Sequence, residues 1–133
     1  MKSLALFLML AISGIFPVLG QNFYKNISVA QADTLIRVHE GKGDLVIMDV
    51  RTPDEFLKGH IGGAINRNFW GKEFENSILT LNLNRIYLIY CTSGVRSRGA
   101  MKKMHRLGFQ RLYNMNGGMI GWRAAKLPLV SEK

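Results

Sequence analysis

The sequence predicts an α/β fold built on a mainly parallel sheet. Two observations carry that prediction. Short runs of strand length recur along the chain, and "LVIMDV" (45–50) and "RIYLIY" (85–90) are apolar with little alternation, as strands buried on both faces require. Between the runs lie segments with helical spacing of apolar residues, so strand and helix patterns alternate through the chain. In such sheets ligands bind off the carboxyl ends of the strands, which directs attention to Asp49–Arg51 and Cys91–Arg96.

Taken in order, a short strand around Ile27 comes first. Ser28 is the N-cap of a helix that carries Ala32, Leu35, Ile36 and His39 at helical spacing and is ended by Gly41. After the strand at 45–50, Thr52 caps a short helix with Pro53 at its first position and acids in its first turn. "GAIN" (63–66) is a brief third strand, and "FWGKEFENSILT" (69–80) a helix. The strand at 85–90 leads into "VRSRGAMKKMHRL" (95–107), a helix with Ala100, Met101, Met104 and Leu107 inward and Gly108 as its stop. "RLYNM" (111–115) is the last strand, and "GGMIGWRAAKLP" (117–128) a closing helix ended by Pro128.

Residues 1–20 stand apart from this pattern. Lys2 gives a basic start, Leu4–Ile12 an apolar stretch, and Gly14 and Pro17 break the helix before Val18-Leu19-Gly20. This predicts a secretory signal peptide cleaved after Gly20 and a single domain over 21–133. The competing reading, a retained anchor, needs roughly 20 apolar residues to span a bilayer, more than Leu4–Leu19 supplies. The expected location is therefore periplasmic or secreted, with no stable membrane insertion after cleavage.

With 47% hydrophobic and 20% charged residues the composition is that of one ordinary globular domain. Eighteen Lys+Arg against nine Asp+Glu favour anionic partners. Nucleic acid is not expected, because the basic residues are scattered, with no run longer than Lys102-Lys103 and no aromatic-rich binding motif. Three histidines without short spacing and one cysteine make a poor zinc site, and no metal or cofactor is expected.

Cys91 is the only cysteine, so an exported chain cannot close an internal disulfide. Count alone leaves two readings open, a reactive thiol or a buried small hydrophobe. Placement separates them. Cys91 ends a strand, Thr92, Ser93, Gly94 and Val95 follow, and a helix starts at about Val95. Gly94 permits a backbone with positive φ, which lets the loop wrap around the sulfur. Free N–H groups of the loop and first helical turn then converge on one point. A thiolate there, near arginine, has its pKa lowered from about 8.5 into ~3.5–7.5.

Three segments, "DVRTPDEFLKGHIGGAIN" (49–66), "YCTSGVRS" (90–97) and "NMNGGMIGW" (114–122), resemble the signature segments of single-domain rhodanese-like sulfurtransferases, in the family's order. The resemblance implies a three-layer domain with a parallel five-stranded sheet, and a cysteine persulfide as intermediate. By it Cys91 is the nucleophile and sulfur carrier, and Thr92 to Arg96 form the active-site loop. Arg96 is expected to orient the loop and its anionic occupant, and Asp49 and Arg51 to support it. Glu55, His60, Gly62, Gly117, Gly118 and Trp122 are expected to be structural.

The implied partners are a small anionic sulfur donor such as thiosulfate and a cyanide or thiol acceptor, with a protein donor or acceptor also open. Related phosphatases use a similar loop with five residues between cysteine and arginine. Here four separate Cys91 from Arg96, a cradle suited to one terminal sulfur rather than phosphate. Two further readings stay open: a non-catalytic binding or redox-sensing module, and a sulfur carrier in a larger exported pathway. The intact Cys91, Gly94 and Arg96 argue against the first of them.

Overall fold

The computed structural model describes residues 22–131. The proposed signal peptide lies outside them. Five strands, β1 (Phe23–Ile27), β2 (Leu45–Asp49), β3 (Ile65–Asn66), β4 (Ile86–Tyr90) and β5 (Arg111–Met115), form one sheet in the order β1-β5-β4-β2-β3. Every neighbouring pair is parallel. Five helices connect them: α1 (Val29–Val38), α2 (Pro53–Leu57), α3 (Phe74–Leu79), α4 (Val95–Arg106) and α5 (Gly118–Ala124).

Central position explains composition. β4 lies between β2 and β5 and all five of its residues are buried, which accounts for its apolar run. Its side chains divide between two cores. Tyr87, Ile89 and then Cys91 join Met48, Phe74, Ile78, Ala100, Met101 and Met104 under α3 and α4. Leu88 and Tyr90 join Ala32, Ile61, Met119 and Trp122 under α1 and α5. The sheet is thus covered on both faces, the three-layer arrangement expected of parallel strands joined through helices.

Local chemistry sets the helix starts. Ser28 and Gln31 form a reciprocal capping box, satisfying two N–H groups that a helix start otherwise leaves free. Thr52 caps α2 by accepting from the Glu55 N–H at 3.3 Å, with Pro53 in the first turn. Several boundaries differ from the sequence reading. α1 ends at Val38 with His39 as its C-cap, before Gly41, and the third strand contracts to two residues. Residues 69–73 are not helical, so α3 begins only at Phe74.

The closing helix stops at Ala124, short of Pro128, because Lys126 adopts φ 55° and turns the chain back. Buried Trp122 holds that turn, accepting at its carbonyl from the Leu127 N–H and donating Nε1–H to the Pro128 carbonyl at 2.9 Å. Val130 then pairs with His60 in a two-bond antiparallel bridge.

Candidate active site

Register brings two strand ends level. Asp49 of β2 pairs with Tyr90 of β4, so Asp49–Arg51 and Cys91 leave the sheet at the same edge. Cys91 is 1% exposed, and the sulfur lies inside the loop rather than on its surface. Gly94 has φ 103°, a left-handed conformation that costs glycine little, and its N–H donates to Cys91 Sγ at 3.1 Å. One turn into α4, the buried Ser97 hydroxyl donates to the same sulfur at 3.4 Å.

The other side of the loop is tied down by α5. The Met119 N–H donates to the Cys91 carbonyl at 2.8 Å and the Ile120 N–H to the Thr92 carbonyl at 3.1 Å. Gly118 makes this approach possible, since a Cβ there would lie 2.5 Å from the Cys91 oxygen and 2.6 Å from that of Thr92. With these carbonyls turned toward α5, the N–H groups that follow are free to face the sulfur. Burial pushes the Cys91 thiol up, but hydrogen bonds from the Ser97 side chain and from the Ser97, Gly94 and Ser93 N–H groups outweigh it. The net pKa is below the ordinary thiol value.

Arg96 is expected to orient the loop and its anionic occupant, and its guanidinium is bonded to the loop residue Thr92 and to Glu55 of α2. It meets Glu55 fork to fork, Nη1–Oε1 at 2.9 Å and Nη2–Oε2 at 3.0 Å, and donates to Thr92 Oγ1 at 2.9 Å. Thr92 donates in turn to Glu55 Oε2 at 2.9 Å, closing a three-residue ring. The exposed indole of Trp70 covers the guanidinium at 4.2 Å, a cation–π contact. The Arg96 pair, with the Thr92 and Thr52 hydroxyls, holds the Glu55 carboxyl at a pKa of about 2. Arg96 therefore orients the loop through Thr92.

Asp49 and Arg51 form a second, fully buried pair. Arg51 donates its backbone N–H and Nε–H to Asp49 Oδ1 and its Nη2 to Oδ2 at 2.7 Å. The same Nη2 donates to the Gly59 carbonyl at 2.6 Å, while Asn66 Nδ2 donates to the Asp49 and Arg51 carbonyls. Burial opposes the Arg51 charge, and Asp49 more than offsets it. The pair shapes the turn that carries α2 and hence Glu55; neither member bonds to Cys91.

The remaining predicted loop residues take distinct places. Ser93 supplies an N–H to the sulfur while its residue is exposed, and Val95 stands 66% exposed at the rim. The histidines lie apart from the sulfur: His39 Nδ1 pairs with Asp44, His60 stacks on Phe56 and bonds its carbonyl, and His105 meets Tyr24 edge-on. Sequence reasoning missed Ser97 and Trp70 and gave Glu55 and Gly118 no part in the site. For Ser97 a signal existed, because the third residue of a helix that starts at Val95 returns toward its N-terminus.

This loop, a buried cysteine ringed by N–H donors at the end of a central parallel strand, matches a known domain. The model of the Rhodanese-like domain matches residues 32–125. The chain belongs to the rhodanese-like family. It is 34% identical over 109 residues to thiosulfate sulfurtransferase GlpE of Pseudoalteromonas translucida, covering 77% of this chain and 91% of that one. A GlpE of Shewanella oneidensis is 30% identical over 102 residues, covering 77% and 95%. Among solved structures, a rhodanese-related protein from Thermoplasma volcanium superposes with TM-score 0.70 at 27% identity, over 82% of this chain and all of that one. A rhodanese-like domain protein of Staphylococcus aureus gives 0.61 at 30% identity, over 74% and 90%. These likenesses make the chain a rhodanese-type transferase, and the parallel five-stranded sheet is the family's.

Proposed function

We propose that the protein is an exported sulfurtransferase that moves a sulfane sulfur from a donor such as thiosulfate to cyanide or a thiol through a Cys91 persulfide. The observation that carries the reading is the convergence of the Gly94 N–H and the Ser97 hydroxyl on Cys91 Sγ, which favours the thiolate. Export is read from the pattern of residues 1–20 and places the working site in the periplasm or outside the cell.

In the first half-reaction the Cys91 thiolate attacks the outer sulfur of thiosulfate. A new S–S bond forms, the old one breaks, and sulfite leaves with its electron pair. The transferred sulfur stays bonded to Sγ, on which the Gly94 N–H and the Ser97 hydroxyl converge, so the charge that returns to Sγ when the persulfide is cleaved is met by donors already in place. In the second half-reaction cyanide or a thiolate attacks that sulfur, and Cys91 departs as the thiolate it began as. Two separate half-reactions predict ping-pong kinetics.

The test is the intact mass of protein treated with thiosulfate. A gain of one sulfur that disappears with cyanide is expected, and Cys91→Ser and Cys91→Ala should neither gain it nor turn over. Full activity in Cys91→Ala would overturn the cycle. Recovered protein should begin at or near Gln21; a start at Met1 in a membrane fraction would overturn cleavage.

A further inference from the structure

A cleft of about 250 Å³ opens against the catalytic loop, between α2 and α5, with Thr92 in its wall. Met119 and Ile120 give it an apolar side, and Lys58 and Arg123 give it cations. Arg51 and Glu55 also border it, but their charges are taken up by Asp49 and Arg96. Lys58 and Arg123 have no ion-pair partner among the described residues. Arg123 is seated by Gly59, where a Cβ would come within 2.8 Å of its Nη2. The cleft's lining thus sets two cations without ion-pair partners among the described residues beside an apolar wall, and includes Thr92, the residue after Cys91 in the chain.

We propose that this cleft binds the carboxylate arm of a low-molecular-weight thiol that accepts sulfur from Cys91. The proposal rests on the sulfur-transfer reading above and adds the class of acceptor and the two residues that select it. Thiosulfate carries its charge on the group next to the transferred sulfur and has no arm to extend into a cleft. An acceptor thiol reaches the persulfide from outside the loop, so the rest of its molecule must lie against the loop's outer wall. There Lys58 and Arg123 attract a carboxylate, while Met119 and Ile120 cover a short carbon chain. In the step itself the acceptor thiolate attacks the outer sulfur of the Cys91 persulfide. A bond forms between acceptor sulfur and outer sulfur, and the bond to Sγ breaks with its electron pair returning to Sγ. The transferred sulfur keeps the negative charge it carried in the Cys91 persulfide, giving the anion of an acceptor persulfide and the Cys91 thiolate.

The experiment loads the protein with sulfur from thiosulfate and measures single-turnover transfer to mercaptosuccinate, 3-mercaptopropionate, 2-mercaptoethanol and cysteamine. Each rate is compared between the unmodified protein and two double variants, Lys58→Ala with Arg123→Ala and Lys58→Glu with Arg123→Glu. Comparing one thiol across proteins cancels its intrinsic reactivity. Both residues are exposed, and full persulfide loading by intact mass reports that the fold and first half-reaction are kept.

The alanine pair should lower the rate with mercaptosuccinate about tenfold, the scale of two solvent-screened charges. The loss should shrink as salt is added, 3-mercaptopropionate should lose less, and 2-mercaptoethanol should change little. The glutamate pair should accelerate cysteamine. Equal effects on charged and neutral thiols, or none on any, would overturn the subsite while leaving sulfur transfer standing. Failure of the unmodified protein to load sulfur would overturn both.

Discussion

Arg96 and Glu55 lock together through two parallel bonds of 2.9 and 3.0 Å, joining the catalytic loop to a helix 41 positions earlier in the chain. The arginine at the end of the Cys91 loop is therefore a brace. Its charge is matched by Glu55, its second Nη holds Thr92, and the ring of Trp70 lies over it. Removing it should disturb loop geometry more than substrate charge. Arg96→Ala is expected to lower kcat/KM by about 10²-fold, the size of effect produced by an ångström-scale misplacement. The loss should be alike for thiosulfate and an uncharged sulfane donor. Arg96→Lys should recover only part, because an ammonium cannot form both bonds. A loss confined to thiosulfate would show that the charge itself acts on the donor.

The Glu55 carboxyl sets a pH window. Its pKa is about 2 in the folded chain against 4.5 as the ordinary value. Above pH 4.5 it is ionised in both states and its contribution to stability is complete. Below 4.5 the unfolded chain takes the proton first, so the contribution falls with pH and is gone once pH drops through about 2. Denaturant midpoints measured from pH 6 to 2 for wild type and Glu55→Gln should therefore converge across that range. A constant gap would mean that Glu55 does not titrate as its Arg96 pairing demands.

Ser97 lowers the pKa of Cys91. Its hydroxyl is one of the donors that bring the Cys91 pKa below the ordinary value against the opposing effect of burial. Ser97→Ala should raise that pKa and shift the pH profile of Cys91 alkylation to higher pH, with sulfur transfer slowed at neutral pH and partly restored as pH rises. An unchanged alkylation profile would assign the work to the N–H groups alone.

Gly118→Ala tests the clamp between α5 and the loop. Its Cβ would meet two backbone carbonyls at 2.5 and 2.6 Å, and backbone cannot swing aside as a side chain can. With the positive φ of 52° added, destabilisation of about 1–3 kcal/mol is expected. The loss of activity should exceed what unfolding explains, because the Cys91 carbonyl would be displaced. Gly63→Ala, also at positive φ but with no atom near its Cβ, is the control for strain alone.

Much of this protein was written in local sequence. Burial of β4 follows from its apolar run, the start of α2 from Thr52 and Pro53, and the left-handed turn at Gly94 from the one residue that adopts it cheaply. These features depend on neighbours a few positions away. The partner of Arg96 and the grip of Met119 and Ile120 on the loop depend on segments far apart.

Strand order decided them. Because β4 sits between β2 and β5, the segment after β2 brings Glu55 to one side of the loop and the segment after β5 brings Gly118 to the other. A carboxylate at position 55 reads in sequence as an ordinary acid of a helix's first turn, and a glycine at 118 as a turn former. Only the parallel register, which levels the ends of neighbouring strands, turns the first into a brace and the second into the gap through which a helix reaches the Cys91 carbonyl.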